Sequence, residues 1–259
     1  MKIVVIGGTG RAGENLVPRL AAQGHEAVPA SPSTGVDAIT GKGLADVMMG
    51  ADVVVDVADS PVLDDAEVWD FFTTSTRNLL AAERDSGVAH HLALSIVGID
   101  RLPDLGYYRA KLAQEGGIEA GPIPYTIVRA TPFFEFLSVM VETAAEGDSV
   151  RLSTGLCQPV AAEDVAATIA ELASGAPLGG RVELAGPEVL GIDAWARRLF
   201  GATEDERTVI SDPHARLFGA ELAGGELMPG DGARIGATDF DTWFATQGAS
   251  LTAEQSPRS

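Results

Sequence analysis

The chain has 259 residues, 46% of them apolar, and carries 37 acidic against 18 basic side chains for a formal net charge of −19. Its length and apolar content fit one large α/β domain, or a nucleotide domain with a smaller lobe. So acidic a surface repels nucleic acid and anionic membranes, which excludes both as partners.

The first apolar run, Ile3 to Ile6, reads as a short buried strand. It runs into GGTGRAG, with glycines at Gly7, Gly10 and Gly13. Glycines let the backbone turn tightly and approach a ligand that no side chain blocks. A helix from Arg11 to Gln23 follows, with Leu16, Val17 and Leu20 on one face and Gly24 as its stop. The free N–H groups and dipole at that helix start favour a phosphate. Strand, glycine loop and helix in that order predict a pyrophosphate cradle formed by Gly7, Thr9, Gly10, Arg11, Ala12 and Gly13. Arg11 reads equally as a cation for the phosphates or as a solvated helix-start residue.

A second strand is predicted at Glu26–Ala30, ending in Pro29-Ala30-Ser31-Pro32-Ser33. An NAD site usually places Asp or Glu there for the ribose 2′-hydroxyl. None is present, so NADP(H) is favoured over NAD(H), with Ser31 and Ser33 as partners of a 2′-phosphate; serines beside proline are also ordinary turn residues. A short third strand at Gly35–Ala38 would leave Asp37 near the adenine, or as a simple cap. The fourth strand, Asp52–Ala58, brings Val57 and Ala58 to the cofactor. Asp64–Asp65 read as helix-start acids for a long helix over Asp65–Ser86. A homodimer through that helix stays open, although the sheet needs its apolar face.

The fifth strand, His90–Val97, carries Ser95 near its end. A helix at Tyr107–Ala120 follows, in which Tyr107 and Lys111 are four residues apart and share one face. An ammonium beside a phenol lowers its pKa, so Tyr107 would exchange a proton with a substrate carbonyl or alcohol near neutral pH. Ser95 would donate a hydrogen bond to the same oxygen. Gly116 and Gly117 predict that this helix frays or ends early. A sixth strand is expected at Tyr125–Ala130. The alternation argues for a parallel sheet with helices on both faces, whose ligands lie beyond the C-terminal strand ends.

In the rest of the chain, Ala161–Ala173 and Ile192–Leu199 read as helices. Phe133, Phe134, Phe136, Leu137 and Met140 read as pocket wall or core. His90 and His91 read as structural rather than metal-binding. The single cysteine, Cys157, rules out an intrachain disulfide, reads as a small core residue and fits a cytoplasmic protein. Neither a leader nor a membrane span is expected.

The chain resembles the short-chain dehydrogenase/reductase superfamily, in its atypical, NmrA-like branch. The resemblance rests on Gly7–Gly13, Ser95, Tyr107 with Lys111, VRATPFFEF at Val128–Phe136, QPVAAEDVAATIAEL at Gln158–Leu172 and ELAGPE at Glu183–Glu188. It implies a Rossmann doubly wound sheet over 1–130 and a smaller substrate lobe over 131–245, to which about 156–175 are an exception by returning to the core; residues 246–259, small and polar, read as a flexible tail. It implies Tyr107 as general acid or base, Lys111 on the nicotinamide ribose, Ser95 orienting substrate, and Thr131, Pro132 and Phe133 by the nicotinamide. It further implies an NAD(P)-dependent oxidoreductase reducing a carbonyl or quinone-like small molecule. A nucleotide-sugar epimerase or dehydratase and a redox-sensing regulator without turnover are the alternatives. One departure is local: where many members have Asn-Ala-Gly after the fourth strand, this chain has Val57, Ala58, Asp59 and Ser60.

Overall fold

The computed structural model describes residues 1–222 and 224–254. Its main strands are β1 (Lys2–Ile6), β2 (Glu26–Ala30), β3 (Val53–Asp56), β4 (His90–Ile96) and β5 (Tyr125–Ala130). Short strands β6 (Ala145–Glu146), β7 (Ser149–Leu152) and β8 (Leu156–Cys157) follow, then β9 (Gly180–Ala185), β10 (Leu190–Gly191), β11 (Thr208–Ser211), β12 (Arg216–Leu217), β13 (Ala220–Glu221) and β14 (Arg234–Ile235). The helices are α1 (Arg11–Ala22), α2 (Leu44–Met48), α3 (Asp65–Ser86), α4 (Gly106–Glu119), α5 (Phe136–Thr143), α6 (Ala162–Ala173), α7 (Ile192–Thr203) and α8 (Phe240–Glu254). A seven-stranded sheet runs in the order β14-β9-β5-β4-β3-β1-β2, with parallel pairing at β1–β2, β1–β3, β3–β4 and β9–β14. This is the Rossmann-like arrangement. From β2 at one edge the chain returns to the other side of β1 to form β3, so the topological switch lies between β1 and β3.

Two compact units share the chain: Met1–Arg129 with Ala162–Val182, and Ala130–Ala161 with Glu183–Ser259. In the first, β1 and β3 are buried on both faces, which is why they read as unbroken Ile/Val runs. One side of the sheet is filled by Val4, Ile6, Val54, Leu44, Met48 and Leu79. Helix α3 is capped by Asp64, whose carboxylate accepts the N–H groups of Ala66 and Glu67, and stops at the left-handed Gly87. Helix α6 packs on α1.

Three local expectations give way. Gly35–Ala38 forms no strand; a 3-10 turn at Pro32–Thr34 and the left-handed Gly35 redirect the chain, and Asp37 holds the next turn. Helix α4 passes through Gly116 and Gly117 to Glu119, because Ile118 is fully buried and Glu115 is ion-paired with Arg129 and Arg181. The stretch expected as loose tail continues α8 from Thr246 to Glu254, while 255–259 lie outside the described residues. That helix starts on Asp239, which accepts the Thr242 N–H at 2.8 Å. In the second unit its Phe240 and Trp243 join Phe134 and Trp195 in one aromatic cluster. Cys157 is fully buried there, and burial pushes its thiol up to about 12, which suits a core residue.

His91 on β4 and Glu83 on α3 form a buried pair, Nδ1 to Oε1 at 2.8 Å, both side chains fully enclosed. Burial by itself would lower the His91 pKa; the charge and hydrogen bond of Glu83, with the charge of Asp56, raise it above the ordinary imidazole value. A raised folded pKa contributes stability that is complete below about 6.5 and lost as pH rises through the folded value. Removing one partner of a buried pair costs about 3–5 kcal/mol. Glu83→Gln is therefore expected to destabilise the protein by about 3 kcal/mol. Melting curves should show a larger loss at about pH 6 than at about pH 9.

Candidate cofactor and catalytic site

At the end of β1 the chain turns through Gly7, at φ +77°. A Cβ on Gly7 would sit 2.7 Å from the Ala58 Cα, so the loop after β3 lies directly against the glycine loop. A Cβ on Gly8 would meet Pro29 at 2.8 Å, and one on Gly13 would strike the Gly7 carbonyl oxygen and Gly8. These three glycines are demanded by packing between backbones. Gly10 is different. It is the N-cap of α1, exposed, and an added Cβ would meet only the Gly7 oxygen at 3.3 Å. Among the described residues no side chain caps that helix start, and first-turn N–H groups left without a cap are the kind that favour an anion.

Beside this loop stands a cluster of hydroxyls. Thr9 Oγ1 donates to Ser31 Oγ at 2.9 Å, Ser31 and Ser33 share a hydrogen bond of 2.9 Å, and Thr9 lies 3.4 Å from Ser33. Arg11 is exposed and has no ion pair among the described residues. Asp37 spends Oδ1 on the N–H groups of Ile39 and Thr40, so it acts as a turn cap. Burial would raise its pKa, but those bonds and Lys42 hold it below the usual carboxylate value. Val57 donates its N–H to Ile6 and is buried, and Ala58 packs on Gly7. Glycine loop, uncapped helix start and hydroxyl cluster together fit a dinucleotide phosphate backbone.

The three expected catalytic side chains each bond to a different partner. Tyr107, half-buried in the first turn of α4, donates its hydroxyl to Asp59 Oδ1 at 2.6 Å. Burial and the Asp59 carboxylate push the phenol up, opposite to the shift expected from a neighbouring lysine. Lys111 is 3% exposed; its ammonium donates to the Leu94 carbonyl at 2.8 Å and to Gln114 Oε1, and lies 4.5 Å from the centre of the Phe72 ring. Burial lowers its pKa against the opposing pull of Asp56, Asp59 and Glu115. Ser95 donates to Glu115 Oε1 at 2.5 Å, where Arg129 also binds. Sharing a helix face brings Tyr107 and Lys111 onto the same side of α4, but the longer side chain turns inward.

The residues that organise the site were not evident from motif spacing. Asp56, the last residue of β3, accepts the Ala58 N–H at 3.0 Å through Oδ1 and the Gln114 amide at 2.9 Å through Oδ2. Burial raises its pKa, opposed by His91, Lys111 and the Ala58 N–H. Lys111 is thereby linked through Gln114 and Asp56 to the segment that packs on Gly7. The only signal was an acid closing a buried valine strand. Asp59 showed itself in the sequence only as part of the Val57-Ala58-Asp59-Ser60 departure from Asn-Ala-Gly.

Thr131, Pro132 and Phe133 follow β5 and belong to the second unit. There the Thr131 hydroxyl donates to the Gln158 carbonyl at 2.6 Å, and the Pro132 carbonyl accepts the Val160 N–H at 3.0 Å. Phe133 bridges to Val160. Gln158 in turn donates to the Gly186 carbonyl at 2.6 Å, which ties together the two segments noted at Gln158–Leu172 and Glu183–Glu188.

The fold is that of a dinucleotide-binding α/β protein. The chain belongs to the NAD(P)H-binding family, whose model matches residues 7–175. It is 32% identical over 206 residues to the chloroplastic divinyl chlorophyllide a 8-vinyl-reductase of Oryza sativa subsp. indica, covering 66% of this chain and 51% of that one. The chain thus spans about half the length of that relative. Among solved structures it resembles the UDP-glucose 4-epimerase of Thermus thermophilus in complex with NAD, with TM-score 0.68, 18% identity and coverage of 88% and 92% of the two chains. It also resembles the dTDP-4-dehydrorhamnose reductase of Bacillus anthracis in complex with NADP, with TM-score 0.67, 17% identity and coverage of 88% and 91%. Among the described residues, no helix is long and apolar enough to cross a membrane.

The contrast between glycines is testable. Gly13→Ala should destabilise the protein, because the added carbon meets backbone on two sides. Gly10→Ala should keep melting within about 1 kcal/mol of the parent. It should nevertheless weaken NADPH binding by calorimetry roughly tenfold, as the methyl occupies the phosphate approach.

Proposed function

We propose that the protein is an NAD(P)H-dependent reductase of a carbonyl or quinone-like small molecule. The observation that carries this reading is the position of the Tyr107 hydroxyl. It is bonded to Asp59, one residue beyond the Ala58 that packs on the glycine loop, which supports reading it as a proton donor near the switch point of the sheet. When bound, the nicotinamide supplies the hydride. Tyr107 supplies the proton to the substrate oxygen. Asp56 and Gln114 hold Lys111 in place, and the Thr9–Ser31–Ser33 hydroxyls receive the adenosine ribose end. The rice relative's name describes reduction of a vinyl group, so conjugated vinyl compounds belong in the substrate panel beside carbonyls and quinones.

NADPH is favoured over NADH in this reading. Ser31 stands where a ribose-binding acid would be, and its hydroxyl partners and Arg11 suit a 2′-phosphate. Placing a carboxylate there should reverse the preference: Ser31→Asp is expected to weaken NADPH at least about tenfold while affecting NADH little, measured by fluorescence titration. Tyr107→Phe should reduce turnover at least about a hundredfold while the NADPH dissociation constant stays within about twofold. Steady NADPH consumption with some acceptor distinguishes a reductase from an epimerase that recycles its cofactor. Tight cofactor binding without turnover on the whole panel would instead favour a redox-sensing regulator.

A further inference from the structure

We propose that the groove between α3 and α4 is a second ligand site, which takes an amphipathic carboxylate: an apolar body with a single anionic head. Both helices belong to the first compact unit, and the site stands whether or not the protein is a reductase.

Two glycines point to it. Gly116 and Gly117 lie inside α4, where each costs helix stability relative to alanine. Neither adopts the left-handed conformation. Among the described residues, a Cβ on Gly116 would meet nothing within 4 Å, and one on Gly117 would meet only the Thr76 Cγ2 on α3, at 3.4 Å, which is ordinary contact. Neither turn geometry nor close packing therefore calls for glycine. What the missing side chain at Gly117 leaves is space: it lines a cavity of about 450 Å³ between the two helices.

The walls divide by chemistry. Leu80 and Ala81 from α3 and Ala113 from α4 line the cavity with apolar surface. Arg77 and Arg84, seven residues apart on one face of α3, bracket Leu80 and Ala81. Arg77 is exposed, and its guanidinium has no ion pair or hydrogen bond among the described residues. Arg84 is held at 2.8 Å by Asp85, an exposed pair of the kind that adds little stability and yields readily to a competing anion. Thr76 also lines the cavity; it is 4% exposed, and its Oγ1 has no hydrogen-bond partner among the described residues. A buried hydroxyl left without a partner is a cost that the two helices do not meet by themselves.

Charge selects the occupant. With a formal net charge of −19 the surface as a whole repels anions, so an anion settles only where a bare cation and apolar contact coincide. A guanidinium fork matches a carboxylate in shape, and Leu80, Ala81 and Ala113 bury the attached hydrocarbon. A neutral chain forfeits the first contact, and a small inorganic anion the second.

Calorimetric titration of the NADPH-saturated protein with octanoate tests the site, with 1-octanol and inorganic phosphate as probes that lack the charge and the chain. Octanoate should bind at one site per chain, and each control at least about tenfold more weakly. Arg77→Gln should weaken octanoate at least about tenfold, while Arg77→Lys retains part of the affinity. Gly117→Leu fills the cavity and favours the helix, so it should abolish octanoate binding and raise the melting temperature. Arg77→Gln, at an exposed position, decides the matter should Gly117→Leu fail to fold. NADPH affinity should stay within about twofold of the parent in every variant, which establishes that each is folded and separates this site from the cofactor's. Absence of octanoate binding overturns the proposal, and so does octanoate heat that persists unchanged in Arg77→Gln and Gly117→Leu. Equal affinity for octanoate and 1-octanol overturns the anionic head. A dimer seen by sedimentation that Gly117→Leu dissociates and octanoate does not gives the groove to a second copy of the chain, and overturns the proposal too.

Discussion

The site depends on one steric constraint: Ala58 backbone occupies the space where a side chain on residue 7 would begin. Two loops can approach so closely only if one contributes a glycine in the left-handed region. The contact fixes the glycine loop against the segment after β3, at the point where the sheet order reverses. It also fixes where Asp59 emerges, and hence what Tyr107 meets. The same segment is held from below by Asp56, which grips the Ala58 N–H. The glycine loop and the carboxylate that accepts the Tyr107 hydroxyl consequently meet on one short run of backbone.

Beneath that run the interior is charged but locally balanced. Glu83 pairs with His91, and the amide of Gln114 bridges Asp56 to Lys111. Burying each charge alone would cost several kcal/mol; partners and hydrogen bonds offset that cost without making the network a net source of stability. What the network supplies is definition. Lys111 cannot swing toward Tyr107 without abandoning the Leu94 carbonyl, Gln114 and the Phe72 face. Its three protons thus have directions set by the fold rather than by the ligand.

The main elements were legible because their signals are local. Buried valine runs, a glycine stop and an aspartate cap are each written within a few residues, and α3 and β5 have the extents expected of them. Failures occurred where a distant contact overrides the local preference. Gly116 and Gly117 weaken α4, yet Ile118 and the Glu115 ion pairs hold its end. Thr246 onward is small and polar, yet Phe240 and Trp243 anchor its helix in an aromatic cluster. The candidate site shows the same division. Glycine spacing reports a backbone shape and was readable. The i, i+4 relation of Tyr107 and Lys111 reports a shared face, not the direction of a long side chain. The direction is set by Gln114, three residues along the helix, and by Asp56 on β3, which lies 58 positions before Gln114.

A balanced interior gives the exposed residue its leverage. With Lys111 and His91 each engaged in the core, neither presents a free cation to the phenol, and the charge that Tyr107 meets is the carboxylate of Asp59. A neutral asparagine at that position would offer a hydrogen-bond acceptor of similar shape without the charge. The difference bears on the phenol's protonation far more than on the fold, because an exposed carboxylate is hydrated whether or not the chain is folded. The partner of the Tyr107 hydroxyl is thus a solvent-facing side chain, while the glycine contact and the buried network are built from other residues.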